Sequence, residues 1–149
     1  MAKPFEFSLQ PALRMKRHQE WLASVEQYKA QSAFLAARAE QRKLEQNLAE
    51  LSRLMAEGRL GLSWLQFRDQ VELIRQQLDE SERAVAMAAD RLAEKAAERK
   101  KLATDVEVLS ALREKQWQEY TRELARAEQE RLDEVGLQRW LSASESERR

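Results

Sequence analysis

The chain has 149 residues, of which 35% are charged and 7% aromatic, a composition that fills a narrow helical seam more readily than a thick core. Lys plus Arg equals Asp plus Glu at 26 each, so no basic excess favours nucleic acid or an anionic membrane. Cysteine is absent, and we find neither a run of about 18 apolar residues nor the apolar stretch of a signal peptide, so we expect a cytoplasmic protein.

The first residues alternate apolar and polar side chains between two prolines. This pattern predicts an extended N-terminal arm over 1–8, then a helix that begins between Ser8 and Gln10, because proline is tolerated in a first turn. No glycine or proline follows before Gly58, which predicts a first helix over about 9–57. The alternating apolar residues are Phe5, Phe7 and Leu9, and the prolines are Pro4 and Pro11.

Apolar residues of the first helix recur in alternating steps of three and four, interrupted by one step of five. The alternation is the heptad spacing of a coiled coil, and the longer step indicates one phase slip. The predicted seam consists of Trp21, Val25, Tyr28, Ser32, Leu35, Ala39, Leu44, Leu48, Leu51 and Met55.

A second helix is predicted over about 63–140, with Gly136 either ending it or carried through, and with a frayed tail over 142–149. Beyond Leu109 the apolar line needs two successive steps of four, a stutter that locally unwinds a supercoil. The predicted seam consists of Phe67, Val71, Ile74, Leu78, Ser81, Val85, Ala88, Leu92, Lys95, Arg99, Leu102, Val106 and Leu109, and it continues through Arg113, Trp117, Tyr120, Leu124 and Ala127.

The stretch MAEGRLGLSW, residues 55 to 64, separates the two predicted helices. Gly58 suits the left-handed residue that closes the first helix, Gly61 relaxes the loop, and Ser63 can cap the second helix. So short a connection at 58–62 makes the helices neighbours. We therefore predict an all-α fold, a single domain over 9–141 in which two long helices form an antiparallel coiled-coil hairpin, the second longer and overhanging.

The two predicted helices differ in length, about 73 Å against about 117 Å at 1.5 Å per residue. If the chain folds back near Leu60, residue 9 meets about residue 111, and the last ~29 helical residues lack an intramolecular partner. An isolated helix of this length is marginal in water. We therefore expect another molecule to cover it.

Residues for catalysis are scarce. His18 is the only histidine, and one imidazole provides neither a metal site nor a catalytic triad. Asp133 and Glu134 are adjacent on a helix and point apart, which does not suit paired acid and base chemistry. We expect no enzyme activity, no metal and no cofactor.

The four tryptophans differ in their predicted roles. Trp21 lies on the predicted seam and Trp64 is expected to plug the tip of the hairpin. Trp117 and Trp140 lie beyond the paired region, where packing and partner binding are equally open, because aromatic residues are enriched at interface hot spots.

Three segments carry a resemblance to a known family: FEFSLQPAL at the start, WLQFRDQVELI after the reversal, and EYTRELARAEQERLDEVGLQR near the end. Together they resemble the FliJ family of bacterial flagellar export proteins. The informative residues are Phe5, Phe7, Leu9, Glu128, Gln129, Leu132, Asp133 and Glu134.

The resemblance implies a non-enzymatic stalk and escort of the flagellar type III export apparatus, at the inner membrane at the flagellar base. Its implied partners are the hexameric export ATPase FliI, the export gate protein FlhA and export chaperones, and the chain alone would be a monomer. The implied ATPase-binding residues are Phe5, Phe7, Leu9, Trp117, Tyr120, Leu124, Glu128, Leu132, Asp133 and Glu134. The implied gate-binding residues are Gln70, Ile74, Gln77 and Ser81, with Gln70 where the family has a large aromatic residue.

Two alternatives stay open from the sequence. One is the corresponding stalk of a virulence type III secretion injector. The other is a homo-oligomeric structural coiled coil, in which a second copy of the chain covers the overhang.

Overall fold

The computed structural model describes residues 3–148 and contains, within them, two helices and no strand. Helix α1 spans Gln10–Ala56 and helix α2 spans Trp64–Arg148, with 47 and 85 residues. The two helices pack against each other, which confirms the predicted all-α helical hairpin. In the described part of the chain, neither helix has a segment long and apolar enough to cross a membrane.

The contacts divide the chain into two units, and the single domain over 9–141 stays a prediction. One unit combines Met1–Arg17 with Thr104–Arg149, and the other is His18–Ala103. A seam between two helices has no central core, because each side chain contacts only the facing turns of the other helix. Contacts of this kind are local, so they group into more than one unit.

In the first unit, α1 begins where the sequence predicted. The Gln10 backbone N–H donates to the Phe7 carbonyl oxygen at 3.0 Å, and the Leu13 N–H donates to the Leu9 carbonyl oxygen at 2.9 Å. Pro11 lies in this first turn, where its missing N–H leaves no helical hydrogen bond unmade. Phe7 and Leu13 are buried at 6% and 0% exposure, so the start of α1 holds the core of this unit.

The helices of the first unit run antiparallel. The Arg113 Nε donates to the Gln10 Oε1 at 3.1 Å, and the Lys16 Nζ lies 3.2 Å from the Asp105 Oδ2. Pairing therefore moves backwards along α2 as it moves forwards along α1. The pair of Gln10 and Arg113 lies close to the predicted meeting of residues 9 and 111.

In the second unit, the reversal after α1 has the predicted backbone chemistry. Gly58 has φ of 68°, the left-handed conformation that glycine adopts most readily. The Arg59 N–H donates to the Leu54 carbonyl oxygen at 3.0 Å, and the Gly58 N–H donates to the Met55 carbonyl oxygen at 3.2 Å. These two bonds form a Schellman motif, which satisfies carbonyl groups at the end of α1.

Ser63 caps the start of α2 as predicted. The Gln66 N–H donates to the Ser63 Oγ at 3.3 Å, and the Ser63 N–H donates to the Gln66 Oε1 at 3.0 Å. This reciprocal pair is a capping box, which satisfies two backbone N–H groups that the helix leaves unpaired.

The seam residues of α2 are predicted correctly from Phe67 to Leu109, whereas of the predicted continuation Tyr120 and Leu124 are half-buried and Arg113, Trp117 and Ala127 are exposed. Every residue of the line from Phe67 to Leu109 is at least half-buried except Arg99. Arg99 still contacts α1, because its Nη1 donates to the Gln27 Oε1 at 3.2 Å.

For α1, the second half of the predicted seam is correct, and of the predicted first half only Val25 is half-buried. Leu44, Leu48, Leu51 and Met55 are half-buried. The predicted phase slip is wrong, because the steps of three and four continue towards the N-terminus without a break. The covered residues that continue these steps are Glu20, Ala23, Gln27, Ala30, Phe34, Ala37 and Gln41.

A slip of one residue would have turned α1 by about 100° relative to α2 and broken the single line of contact. The structure keeps that line and leaves Trp21, Tyr28 and Leu35 at 62%, 71% and 58% exposure. Trp21 is therefore not a seam residue. Trp64 does not plug the tip either, since it is 63% exposed and contacts Phe67 at 5.6 Å between ring centroids.

Helix α2 continues beyond its predicted end. It passes through Gly136 and ends at Arg148, so residues 142–148 are helical where the sequence predicted a frayed tail, while Arg149 lies outside the described residues. The tail contains no proline, and a glycine inside a helix costs only about 1 kcal/mol. Nothing in this sequence therefore forces the helix to stop earlier.

We expect Gly58→Ala to lower the free energy of unfolding by about 1–2 kcal/mol, because an L-residue is strained in the left-handed conformation. An added Cβ would meet no atom within 4 Å, so the cost is conformational and not a steric clash. Urea denaturation followed by circular dichroism measures the loss. Gly61→Ala is the matched control, since Gly61 has equally open surroundings without a positive φ. Equal losses in both variants would contradict this account of the turn.

Candidate partner-binding site

In the first unit, the N-terminal arm packs on one face of α2 through Phe5. The Phe5 ring lies 5.2 Å from the Trp117 ring in an edge arrangement and 5.5 Å from the Tyr120 ring, between centroids. The Arg113 guanidinium carbon lies 5.8 Å from the centre of the Phe5 ring, within the range of a cation–π interaction. Three side chains of α2 thus hold one side chain of the arm.

A hydrogen bond fixes the backbone of the arm beside this aromatic cluster. The Tyr120 hydroxyl donates to the Lys3 carbonyl oxygen. The arm and α2 also line a shallow groove next to this bond. Its residues are Lys3, Pro4, Phe5, Glu6, Tyr120, Glu123, Leu124 and Ala127.

The three alternating residues of the arm lie in different environments. Phe5 is half-buried against α2, Phe7 is buried, and Leu9 is 41% exposed. Of the residues that the resemblance assigns to ATPase binding, the structure brings Phe5, Trp117, Tyr120 and Leu124 together. Arg113 was not predicted as a functional residue, although its place on the apolar line of α2 was the signal that it faces another element.

Beyond the arm, the last part of α2 is uncovered. We call residues 125–148 the terminal segment, and every residue in it is exposed except Ser144, which is half-buried. A helix with several large apolar side chains in water is expected to bind something, because burying each one contributes roughly 1.5–3 kcal/mol. The exposed apolar residues are Leu132, Val135, Leu137, Trp140 and Leu141.

The charged residues of the terminal segment are partly paired along the helix. The Arg131 Nη2 lies 2.7 Å from the Glu128 Oε1, and the Gln129 Nε2 donates to the Asp133 Oδ1 at 2.9 Å. The hydrogen bond from Arg131, helped by its charge, lowers the pKa of the Glu128 carboxyl. Four residues that the resemblance assigns to ATPase binding lie in the terminal segment, and all four are exposed: Glu128, Leu132, Asp133 and Glu134.

In the second unit, the four residues that the resemblance assigns to the gate do not share one exposed surface. Gln70 and Gln77 are exposed, whereas Ile74 is half-buried and Ser81 is buried on the seam. Gln77 and Ser81 line a shallow groove with α1 residues. The residues of this groove are Ala37, Glu40, Leu44, Gln77, Glu80, Ser81 and Ala84.

Residues 3–148 contain no group of three His, Asp or Glu side chains that could hold a metal ion. The His18 ring stacks on the Trp21 ring at 6.2 Å between centroids. Comparison with models of protein families, with curated proteins and with solved structures finds no match for this chain. The candidate site is therefore defined by its geometry alone. It consists of the contact of Phe5 with Trp117 and Tyr120, which we call the aromatic clamp, and of the uncovered terminal segment that follows.

We expect Phe5→Ala to lower the free energy of unfolding by about 1–3 kcal/mol, through lost apolar burial and lost ring contacts. Hydrogen exchange should also quicken at residues 113–124, since the arm no longer packs there. Exchange measured by mass spectrometry, with urea denaturation, tests both effects. Tyr28→Ala is the control, because Tyr28 is largely exposed and makes no ring contact within the described residues. An unchanged exchange pattern in the Phe5 variant would rule out the clamp.

We expect Arg131→Gln to raise the pKa of the Glu128 carboxyl towards its ordinary value, because the cation that favours the charged form is removed. Because the pKa of Glu128 is lower in the folded helix than in the unfolded chain, its ionised carboxylate stabilises the helix at pH values above the ordinary pKa of a glutamate. This contribution is lost as the pH falls through the lowered pKa. Carboxyl 13C NMR measures the midpoint. The pKa of Glu50, lowered by Arg53, is the internal control and should not move. A Glu128 midpoint that stays where it was would contradict the assigned cause.

Proposed function

We propose that this chain is a non-enzymatic stalk and escort of the bacterial flagellar type III export apparatus. It binds the hexameric export ATPase FliI and the export gate protein FlhA, and it assists export chaperones. It acts in the cytoplasm, at the periphery of the inner membrane where the flagellar base lies. The proposal starts from the resemblance to the FliJ family in three segments of the sequence.

The terminal segment is the observation that carries the proposal. It is a helix in which Leu132, Leu137, Trp140 and Leu141 are exposed and no described part of the chain covers them. A protein that stays helical there gains from a partner that buries these side chains. A ring of ATPase subunits with an apolar inner surface is a partner of this kind.

The arm supports the same interpretation. Phe5, Trp117 and Tyr120 hold the arm against α2 just before the uncovered region begins. This clamp restricts the start of the chain, so the uncovered helix and the arm present a fixed surface together. Preorganised surfaces lose less conformational entropy on binding.

A stalk of this kind needs no catalytic residue of its own. An asymmetric helical rod makes different contacts with each subunit of a ring and so favours different conformations in different subunits. If the rod also contacts a second partner, the two binding events are coupled through it. The ATPase would supply the chemistry and this chain the coupling.

A variant that ends at Ala127 keeps the groove residues under the arm and removes most of the terminal segment. We expect it to lose binding to the ATPase hexamer and stimulation of ATP hydrolysis, while the full chain joins the hexamer as a single copy. Light scattering of the chain, alone and mixed with the ATPase, and hydrolysis rates measure both.

Met87→Ala is the control, since Met87 is 73% exposed and lies in the second unit. It should bind and stimulate like the unmodified chain. Full stimulation of ATP hydrolysis by the shortened variant would contradict the proposal. A stable dimer that ignores the ATPase would favour the homo-oligomeric coiled coil, and preference for the ATPase of a virulence injector would favour that system.

A further inference from the structure

The outer surface of α1 in the second unit carries large apolar residues that the seam does not use. Trp21, Tyr28 and Leu35 follow one another at intervals of seven residues, so they lie in one line along the helix. All three are more than half exposed. We call this line, with His18, Arg38 and Arg42, the outer face of α1.

As far as Arg42 the outer face contains basic groups and no carboxylate, and the first exposed carboxylate beyond its end is Glu45, three residues after Arg42. Arg38 lies one turn after Leu35 and Arg42 lies seven residues after it, so both continue the line of apolar residues. Within residues 3–148, neither arginine forms an ion pair. Arg38 and Arg42 are therefore available to a partner.

The acidic residues of the same stretch of α1 lie elsewhere. Glu20 is half-buried on the seam, Glu26 lies 3.4 Å from the Lys29 Nζ, and Glu40 lines the groove beside Ser81. No carboxylate between residues 18 and 43 thus neutralises the outer face. This separation of charge distinguishes it from the terminal segment, where acidic and basic residues alternate and partly pair.

The end of the outer face is shaped as a shallow depression. Its lining residues all belong to α1 and combine apolar and cationic side chains: Phe34, Leu35, Arg38, Ala39 and Arg42. Such a surface suits a carboxylate that follows an apolar anchor, because both guanidinium groups can donate to it. A second copy of the same face would instead place arginines against arginines if the two helices paired in parallel.

We propose that the outer face of α1 binds an acidic amphipathic helix of a partner protein. Trp21, Tyr28 and Leu35 span about 21 Å, so the partner needs about four helical turns. Its apolar residues recur at heptad spacing against this line, and its carboxylates meet Arg38 and Arg42. This surface is separate from the terminal segment and does not depend on the proposed stalk function.

The test uses the full-length chain and two synthetic helical peptides of about 21 residues. Both peptides carry leucine at heptad spacing, one with glutamate at the flanking positions and the other with lysine at the same positions. Calorimetry measures binding. We expect the acidic peptide to bind and the basic peptide to bind at least about tenfold more weakly, because like charges repel at an interface.

Reversing the charges of Arg38 and Arg42 tests whether these two residues bind the acidic peptide. The double variant Arg38→Glu and Arg42→Glu should lose at least about tenfold in affinity for the acidic peptide and gain affinity for the basic one. The double variant Arg68→Glu and Arg75→Glu is the matched control, since it makes the same change of charge at exposed positions seven residues apart on α2. Tyr28→Ala should also weaken binding, whereas Met87→Ala should not.

Four results would overturn the proposal: no binding of the acidic peptide, equal binding of both peptides, equal effects of the two double variants, or self-association through Tyr28 measured by light scattering. Binding to vesicles of anionic phospholipid that is lost in the Arg38 and Arg42 variant, without peptide binding, would assign the face to a membrane instead. The chain ending at Ala127 should bind the acidic peptide normally. The stalk proposal can therefore fail while this one holds.

Discussion

The continuity of one seam is the constraint on which the rest of this structure depends. Two helices can share only one line of contact, and the steps of three and four must run without interruption to keep that line facing inward. In α1 this requirement places Ala23, Gln27 and Ala30 on the seam and leaves Trp21 and Tyr28 outside. In this unit, packing geometry along α1 therefore outweighs the burial of individual aromatic side chains.

The same constraint explains why the two candidate binding surfaces exist. A third element would be needed to cover the back of either helix, and the described part of the chain supplies only the arm. The arm covers one short stretch of α2 around Trp117 and Tyr120. The outer face of α1 and the terminal segment of α2 remain exposed, with different charge patterns, and these patterns favour different partners.

The sequence predicted well those features that depend on local chemistry or on large seam residues. Gly58, Ser63 and Pro11 each act through the backbone near their own position, so their roles were evident from residue type. The line from Phe67 to Leu109 was evident because its residues are mostly large and apolar. The first half of α1 was predicted wrongly, because its seam is built mostly from Ala, Gln and Glu, with Phe34 as its one aromatic residue, whereas Trp21, Tyr28 and Leu35 lie outside. The sequence predicted too early an end for α2, although no residue there breaks a helix. The contact of the arm with Arg113 was not predicted, because it depends on packing between distant segments. The partners proposed from the resemblance stay predictions.

The hydrogen bond between Lys3 and Tyr120 joins positions that are 117 residues apart. Contacts of such sequence separation form late, because the chain between them must be ordered first. During synthesis at about 5–20 residues per second, Lys3 is added to the chain roughly 6–23 s before Tyr120. Phe5 lacks its ring partners Trp117 and Tyr120 throughout that interval. The nascent chain thus offers an apolar arm to chaperones before the residues that cover it have been made.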